Sequence, residues 1–153
     1  MRRQTYTATI GAGPRGGRLI PVPFDPDAAW GAKDRHYVTG SVAGMPVRGT
    51  VAAVDGGRAI QVGPSWCQDP RVAPGQVVEV ILEPEGPQFD ELPEELAVAL
   101  GADPDARRRF ESLATFYRKG FVDPIASAKG ADTRARRATQ VVEALRAGRQ
   151  TYR

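Results

Sequence analysis

Apolar and polar residues alternate most clearly across residues 36–62, HYVTGSVAGMPVRGTVAAVDGGRAIQV. Val38, Gly40 and Val42 alternate with Tyr37, Thr39 and Ser41, and a turn at Ala43-Gly44 follows. Val47, Gly49, Val51 and Ala53 keep the period of two, Asp55-Gly56-Gly57 makes the next turn, and Ile60 and Val62 carry a third strand. β-Branched residues at every second position, cut by glycine-containing turns, predict an antiparallel meander. Gly40 and Gly49 inside these strands point to tight bends, as the corners of a small closed barrel require.

The flanks extend this pattern. Residues 5–10 predict a strand with Tyr6, Ala8 and Ile10 on one face, turned by Gly11-Ala12-Gly13-Pro14. Residues 21–26 hold three prolines and predict an extended crossover rather than a central strand. A short helical turn through Ala28, Ala29 and Trp30 follows, capped by Asp25 or Asp27. Residues 63–70 form an irregular loop, and residues 76–84 a last strand with Val78, Val80 and Leu82 on one side.

From Asp90 the apolar period lengthens to that of a helix. Pro93 opens one helix through Leu96, Val98 and Leu100, and Gly101 stops it. Asp103-Pro104-Asp105 starts a second, leading to Phe110 and Leu113. Phe116, Phe121 and Ile125 mark a third, interrupted by Gly120 and Pro124. Asp132 or Thr133 starts the last, with Ala135, Ala138, Val141, Val142 and Leu145 on one face until Gly148. The expected fold is α+β: a barrel of about six or seven strands over residues 1–88, then a cluster of short helices over 89–153 packed on it.

Composition adds a compartment and a charge asymmetry. The chain has 153 residues, 41% of them hydrophobic and 25% charged, which suits a soluble globular protein. One cysteine, Cys67, forms no internal disulfide, and there is no run of about 18 apolar residues to span a membrane. A polar stretch follows Arg2-Arg3 where a signal peptide needs an apolar one, so a cytoplasmic location is expected. Residues 1–90 hold nine basic and nine acidic side chains, whereas residues 107–153 hold twelve basic and four acidic.

The candidate chemistry is sparse. His36 is the only histidine, so neither a histidine metal site nor a paired-histidine mechanism is available, and it reads as a strand-edge residue. No cofactor or metal site is expected. Cys67 reads as a buried structural thiol, since a reactive one needs a base or cation beside it. The run Gly11-Ala12-Gly13-Pro14-Arg15-Gly16 resembles a dinucleotide loop, but Pro14 breaks it and no helix follows. Glu94-Glu95 fits the first turn of a helix.

The C-terminal elements Pro93-Glu94-Glu95-Leu96, Asp103-Pro104-Asp105-Ala106, Phe116-Tyr117-Arg118-Lys119-Gly120-Phe121-Val122, Ala128-Lys129 and Thr133-Arg134-Ala135-Arg136-Arg137 resemble the tail of the YdeI/OmpD-associated, or bacteriocin-protection, family. The segments Pro21-Val22-Pro23-Phe24, Val47-Arg48-Gly49-Thr50 and Gly56-Gly57-Arg58 are similar to the small barrel domain of unknown function often joined to that tail. The chain departs from the family at Tyr117-Arg118, where His-Arg is usual, at Pro124-Ile125, where Trp-Ile is usual, and in the loop at residues 64–69, which lacks the family's basic character. The resemblance implies a protective role and names no reaction.

Three functions from different classes remain. The first is a non-enzymatic binding or stress-protection module, a monomer or small homo-oligomer, with a small-molecule or anionic ligand at a barrel rim formed by Trp30, Arg48, Arg58 and Trp66. Aromatic rings give contact area there, and guanidinium groups grip anions or carbonyls through forked hydrogen bonds. The second is a nucleic-acid-associated protein using Lys129, Arg134, Arg136 and Arg137, although no aromatics interleave with these cations as strand stacking requires. The plain alternative is that these arginines pair with Glu79, Glu83 and Glu85 of the barrel. The third is a small enzyme confining a hydrophobic substrate inside the barrel.

Overall fold

The computed structural model describes residues 2–151; the side chain of Cys67, and with it the expected buried thiol, lies outside the described residues. The chain forms two compact units, Met1–Ala32 with His36–Glu85, and Lys33–Arg35 with Gly86–Arg153. The break thus falls at Glu85, and a three-residue detour joins the helical unit. There the ammonium of Lys33 donates to Oε1 of Gln88 at 3.0 Å, and Arg108 holds Asp34 at 2.9 Å.

The first unit contains strands β1 (Gln4–Thr9), β2 (Gly11–Ala12), β3 (Arg18–Pro21), β4 (Tyr37–Val42), β5 (Met45–Val54), β6 (Gly57–Val62) and β7 (Val77–Pro84), with one short helix, α1 (Pro26–Trp30). They make a nearly closed antiparallel barrel in the order β1-β7-β4-β5-β6-β3-β2. Closure depends on two strands that change partners part-way. β1 pairs along β7, from Gln4 with Leu82 to Thr9 with Val77; one residue later β2 pairs with β3, Gly11 with Leu19. Residues 4–12 are therefore one bent strand that serves both edges. At the bend, Ile10 donates to the Gln76 carbonyl at 2.9 Å and accepts from the Gly75 amide at 2.8 Å. On the opposite side β5 pairs with β4 up to Thr50 and with β6 from Val51 onward.

The strand glycines have distinct reasons. A Cβ on Gly49, just before the β5 bend, would lie 2.5 Å from Cγ2 of Ile60. Gly40 marks no bend: it sits in the middle of β4, where a Cβ would come within 1.8 Å of the Ile81 carbonyl oxygen. Ile20, Val38, Val42, Ile60, Val72, Val80 and Leu82 fill the interior with 0% exposure, leaving no water-sized space beside them.

Aromatic side chains close one end. Tyr6 and Phe24 meet edge to face at 5.9 Å, Phe24 and Trp30 at 5.1 Å, and His36 lies 6.1 Å from Trp30. The Tyr6 hydroxyl donates to the Pro21 carbonyl at 2.6 Å, and burial pushes its phenol well above the usual range. Asp25 caps α1 by accepting from the Asp27 amide. His36, at the edge of β4 as expected, is buried, and its Nε2 lies 2.6 Å from Oδ1 of Asp27. It fixes α1 to the barrel end.

The second unit contains α2 (Glu94–Gly101), α3 (Pro104–Glu111), α4 (Thr115–Ala126) and α5 (Ala131–Arg146). Leu96, Leu100, Phe110, Phe121, Ile125, Val141 and Leu145 form its core. Burying each such side chain contributes about 1.5–3 kcal/mol. Asp103 caps α3 through the Ala106 amide at 3.1 Å, with Pro104 in the first turn, as the sequence predicts. Two expectations need correction. α4 runs unbroken through Gly120 and Pro124, because Phe121 and Ile125, one turn apart, are both fully buried and hold it. α5 begins at Ala131 without a side-chain cap, and exposed Ala135 leaves its buried stripe to Ala138, Val141, Val142, Ala144 and Leu145.

Candidate functional site

The four residues expected at one barrel rim are divided by the topology. Trp30 donates from Nε1 to the Arg2 carbonyl at 2.5 Å, beside Phe24 and His36, at the end where β4 begins. Trp66 donates to the Pro46 carbonyl at 2.9 Å, and Pro46 pairs with Ser41 near the end of β4. At about 3.3 Å per residue, these anchor points are roughly 16 Å apart along the strand. Arg58 lies near Trp30, reaching the Phe24 carbonyl at 3.5 Å and Asp25 at 3.7 Å. Arg48 is ion-paired with Glu85 instead. Both indoles thus spend their N–H groups on backbone carbonyls, and both guanidinium groups have partners.

In the helical unit most of the basic surplus is structural. Arg107 pairs with Glu111 and stacks on Phe89, Arg108 pairs with Asp34, and Arg146 with Asp103. Other arginines cap helix C-termini, where the carbonyls are unpaired and the macrodipole favours a cation. Arg109 donates to the Leu145 and Arg146 carbonyls at the end of α5. Arg134 donates to the Ile125, Ala126 and Ala128 carbonyls at the end of α4, at 3.1, 3.2 and 3.3 Å, and Arg137 to the Pro124 carbonyl at 2.5 Å. Basic residues unfavourable to the first turns of α5 thus stabilise the end of its neighbour.

The internal partner of Arg134 is Glu95 of α2, at 2.9 Å, rather than a barrel glutamate. Glu83 meets Arg3 and Glu85 meets Arg48. The Arg134 hydrogen bond, aided by a backbone one, holds the Glu95 carboxyl below the usual range, and Glu95 in turn raises the Arg134 guanidinium.

What remains is a cleft of about 730 Å³ lined by Pro124, Ser127, Arg136, Arg137, Gln140, Glu143 and Arg149. Arg136, Gln140 and Glu143 stand four and three residues apart, on one face of α5. Arg149 comes from beyond the helix. Gly148, at φ +75°, donates to the Leu145 carbonyl and Arg149 to the Ala144 carbonyl, closing a Schellman turn that places Arg149 over the helix end. Arg137 is held against Pro124, while among the described residues the side chains of Arg136, Glu143 and Arg149 have no hydrogen bond or ion pair. Of the expected anion-binding residues, Arg136 and Arg137 line the cleft. Arg134 is committed to capping, and Lys129 is exposed in the turn between α4 and α5. Ser127, Glu143 and Arg149 were not read from the sequence as site residues; the i, i+4, i+7 spacing from Arg136 carried the signal for Glu143, and the Gly148 stop signal that for Arg149.

Among the described residues, three guanidinium groups against one carboxylate make the cleft suited to holding a compact anion. In comparisons with known proteins, residues 91–148 match the family described as "Bacteriocin-protection, YdeI or OmpD-Associated", a span that contains all of the cleft except Arg149. Residues 6–82 match the "Domain of unknown function (DUF1905)". No curated protein matches the chain. The chain therefore belongs to the DUF1905 family through its barrel, and its helices are those of the YdeI/OmpD-associated, bacteriocin-protection family.

Proposed function

We propose that this protein is a non-enzymatic, cytoplasmic binding module of the bacteriocin-protection kind, which captures a small anionic ligand in the cleft between α4 and α5. One observation carries the reading: most of the described arginines of the helical unit are used in capping, carbonyl binding or ion pairing, yet Arg136 and Arg149 face one cleft without partners among the described residues. Unpaired like charges that share one cleft repel each other, and an anion between them removes that cost. Guanidinium, amide and hydroxyl groups bind charge without changing protonation near neutral pH, which supports binding over catalysis. The packed barrel favours a scaffold role for the first unit, since a substrate finds no room beside its fully buried aliphatic side chains.

Calorimetric titration with inorganic phosphate and pyrophosphate at low salt tests the proposal. Wild type is expected to bind, with affinity falling as salt rises. The Arg136→Ala/Arg149→Ala double variant is expected to lose at least about tenfold in affinity while folding normally. Cells producing wild type should survive a bacteriocin challenge better than cells producing the double variant. Absence of anion binding by wild type, or equal binding by the double variant, overturns the proposal.

A further inference from the structure

The cleft contains a group that an anion site does not need. Glu143 lies one turn beyond Gln140 and two beyond Arg136 on the same face of α5, exposed and without an ion pair among the described residues, in a cleft that also holds three guanidinium groups. Near this many cations a free carboxylate weakens binding of a bare polyanion, while it accepts hydrogen bonds from hydroxyl or ammonium donors. Arg136 and Glu143 are separated by seven residues of regular helix, roughly 10 Å along its axis. Arg137, fixed on the Pro124 carbonyl, and Arg136 therefore stand at one end of the cleft, and Glu143 stands at the other, as the acceptor of the end over which Arg149 folds.

We infer that the ligand is bifunctional: a small molecule with a phosphate or similar anionic group at one end, taken by Arg136 and Arg137, and a hydroxyl or ammonium donor at the other, taken by Glu143. This rests on the anion-binding reading above and narrows its ligand class. Pro124 gives the ligand an apolar wall between the two ends. Nucleic acid fits less well, because a continuous phosphate backbone would carry charge past Glu143 and, among the described residues, no aromatic side chain lines the cleft for base stacking.

The test compares an ω-aminoalkyl phosphate with the alkyl phosphate of the same length, by calorimetry on the full chain. Wild type is expected to prefer the amino compound by about tenfold, one charge-assisted contact. Glu143→Gln is expected to abolish that preference and to tighten binding of the alkyl phosphate severalfold. Glu143→Lys is expected to reverse the preference. Glu143 is exposed and has no partner among the described residues, so both variants should fold. If both phosphates bind wild type equally, or Glu143→Gln keeps the preference, the bifunctional ligand is refuted and the anion site stands. If neither binds wild type, both readings fail. Tighter binding of a DNA or RNA oligonucleotide than of the amino phosphate also overturns the inference.

Discussion

Arg118 offers a direct test of how the helical unit is held together. It is 3% exposed and donates from Nε to the Leu113 carbonyl at 2.9 Å, from Nη1 to the Pro87 carbonyl at 3.0 Å, and from Nη2 to Oγ1 of Thr115 at 3.4 Å. Gly86, at φ +80°, gives way to it: a Cβ there would lie 2.8 Å from Nη2. One guanidinium thus ties the segment entering the helices to the first turn of α4. A hydrogen bond from a charged donor contributes about 1.5–3 kcal/mol, and at least two well-formed ones are at stake. Removing the cation also removes the cost of having buried it, so the net loss for Arg118→Met is expected at about 3 kcal/mol. Arg118→Lys keeps the charge but not the fork, and should lose about half as much. Urea unfolding followed by helical circular dichroism measures both, and faster amide exchange around Pro87 and Leu113 should accompany the loss. An Arg118→Met variant within about 0.5 kcal/mol of wild type would refute the reasoning, since those carbonyls would then need no guanidinium.

Gly40→Ala places a methyl group where the Ile81 carbonyl oxygen stands 1.8 Å away, so the barrel should lose at least about 3 kcal/mol or fail to close; unchanged thermal stability would count against the close approach of β4 and β7. Asp103 is held below the ordinary carboxylate range by the Ala106 amide, then by Arg146. With its folded pKa lowered, its contribution is present above the unfolded value and is lost as pH falls below about 4. Helical signal in mild denaturant should fall over that window, and Asp103→Asn should flatten the dependence.

The parts of the fold that rest on local period were legible in the sequence. The rows Val38–Val42 and Val78–Leu82 alternate because one face of each strand is buried, and Asp103-Pro104 starts a helix by capping alone. Where a partner is distant, the sequence was silent. Arg134 gave no sign of choosing Glu95 over a barrel glutamate, and Pro124 read as a break although burial of Phe121 and Ile125 outweighs its missing amide. For a related reason the sequence did not separate Trp30 from Trp66 in the rim expected from Trp30, Arg48, Arg58 and Trp66: order along the chain does not say which end of a barrel a loop covers. The basic stripe on α5 was visible as a stripe. Which of its arginines remained unpaired depended on the neighbouring helix, and Arg149 on a turn at Gly148.

The bent strand of residues 4–12 has a kinetic consequence. Gln4 must find Leu82 and Thr9 must find Val77, partners about seventy residues away, whereas β4, β5 and β6 join neighbours through tight turns. The meander can assemble early and residues 11–12 can pair with β3, but residues 4–9 have no strand to join until β7 exists. During synthesis the first strand made is therefore the last to be seated, and its apolar row of Tyr6, Ala8 and Ile10 waits unpaired until β7 has emerged.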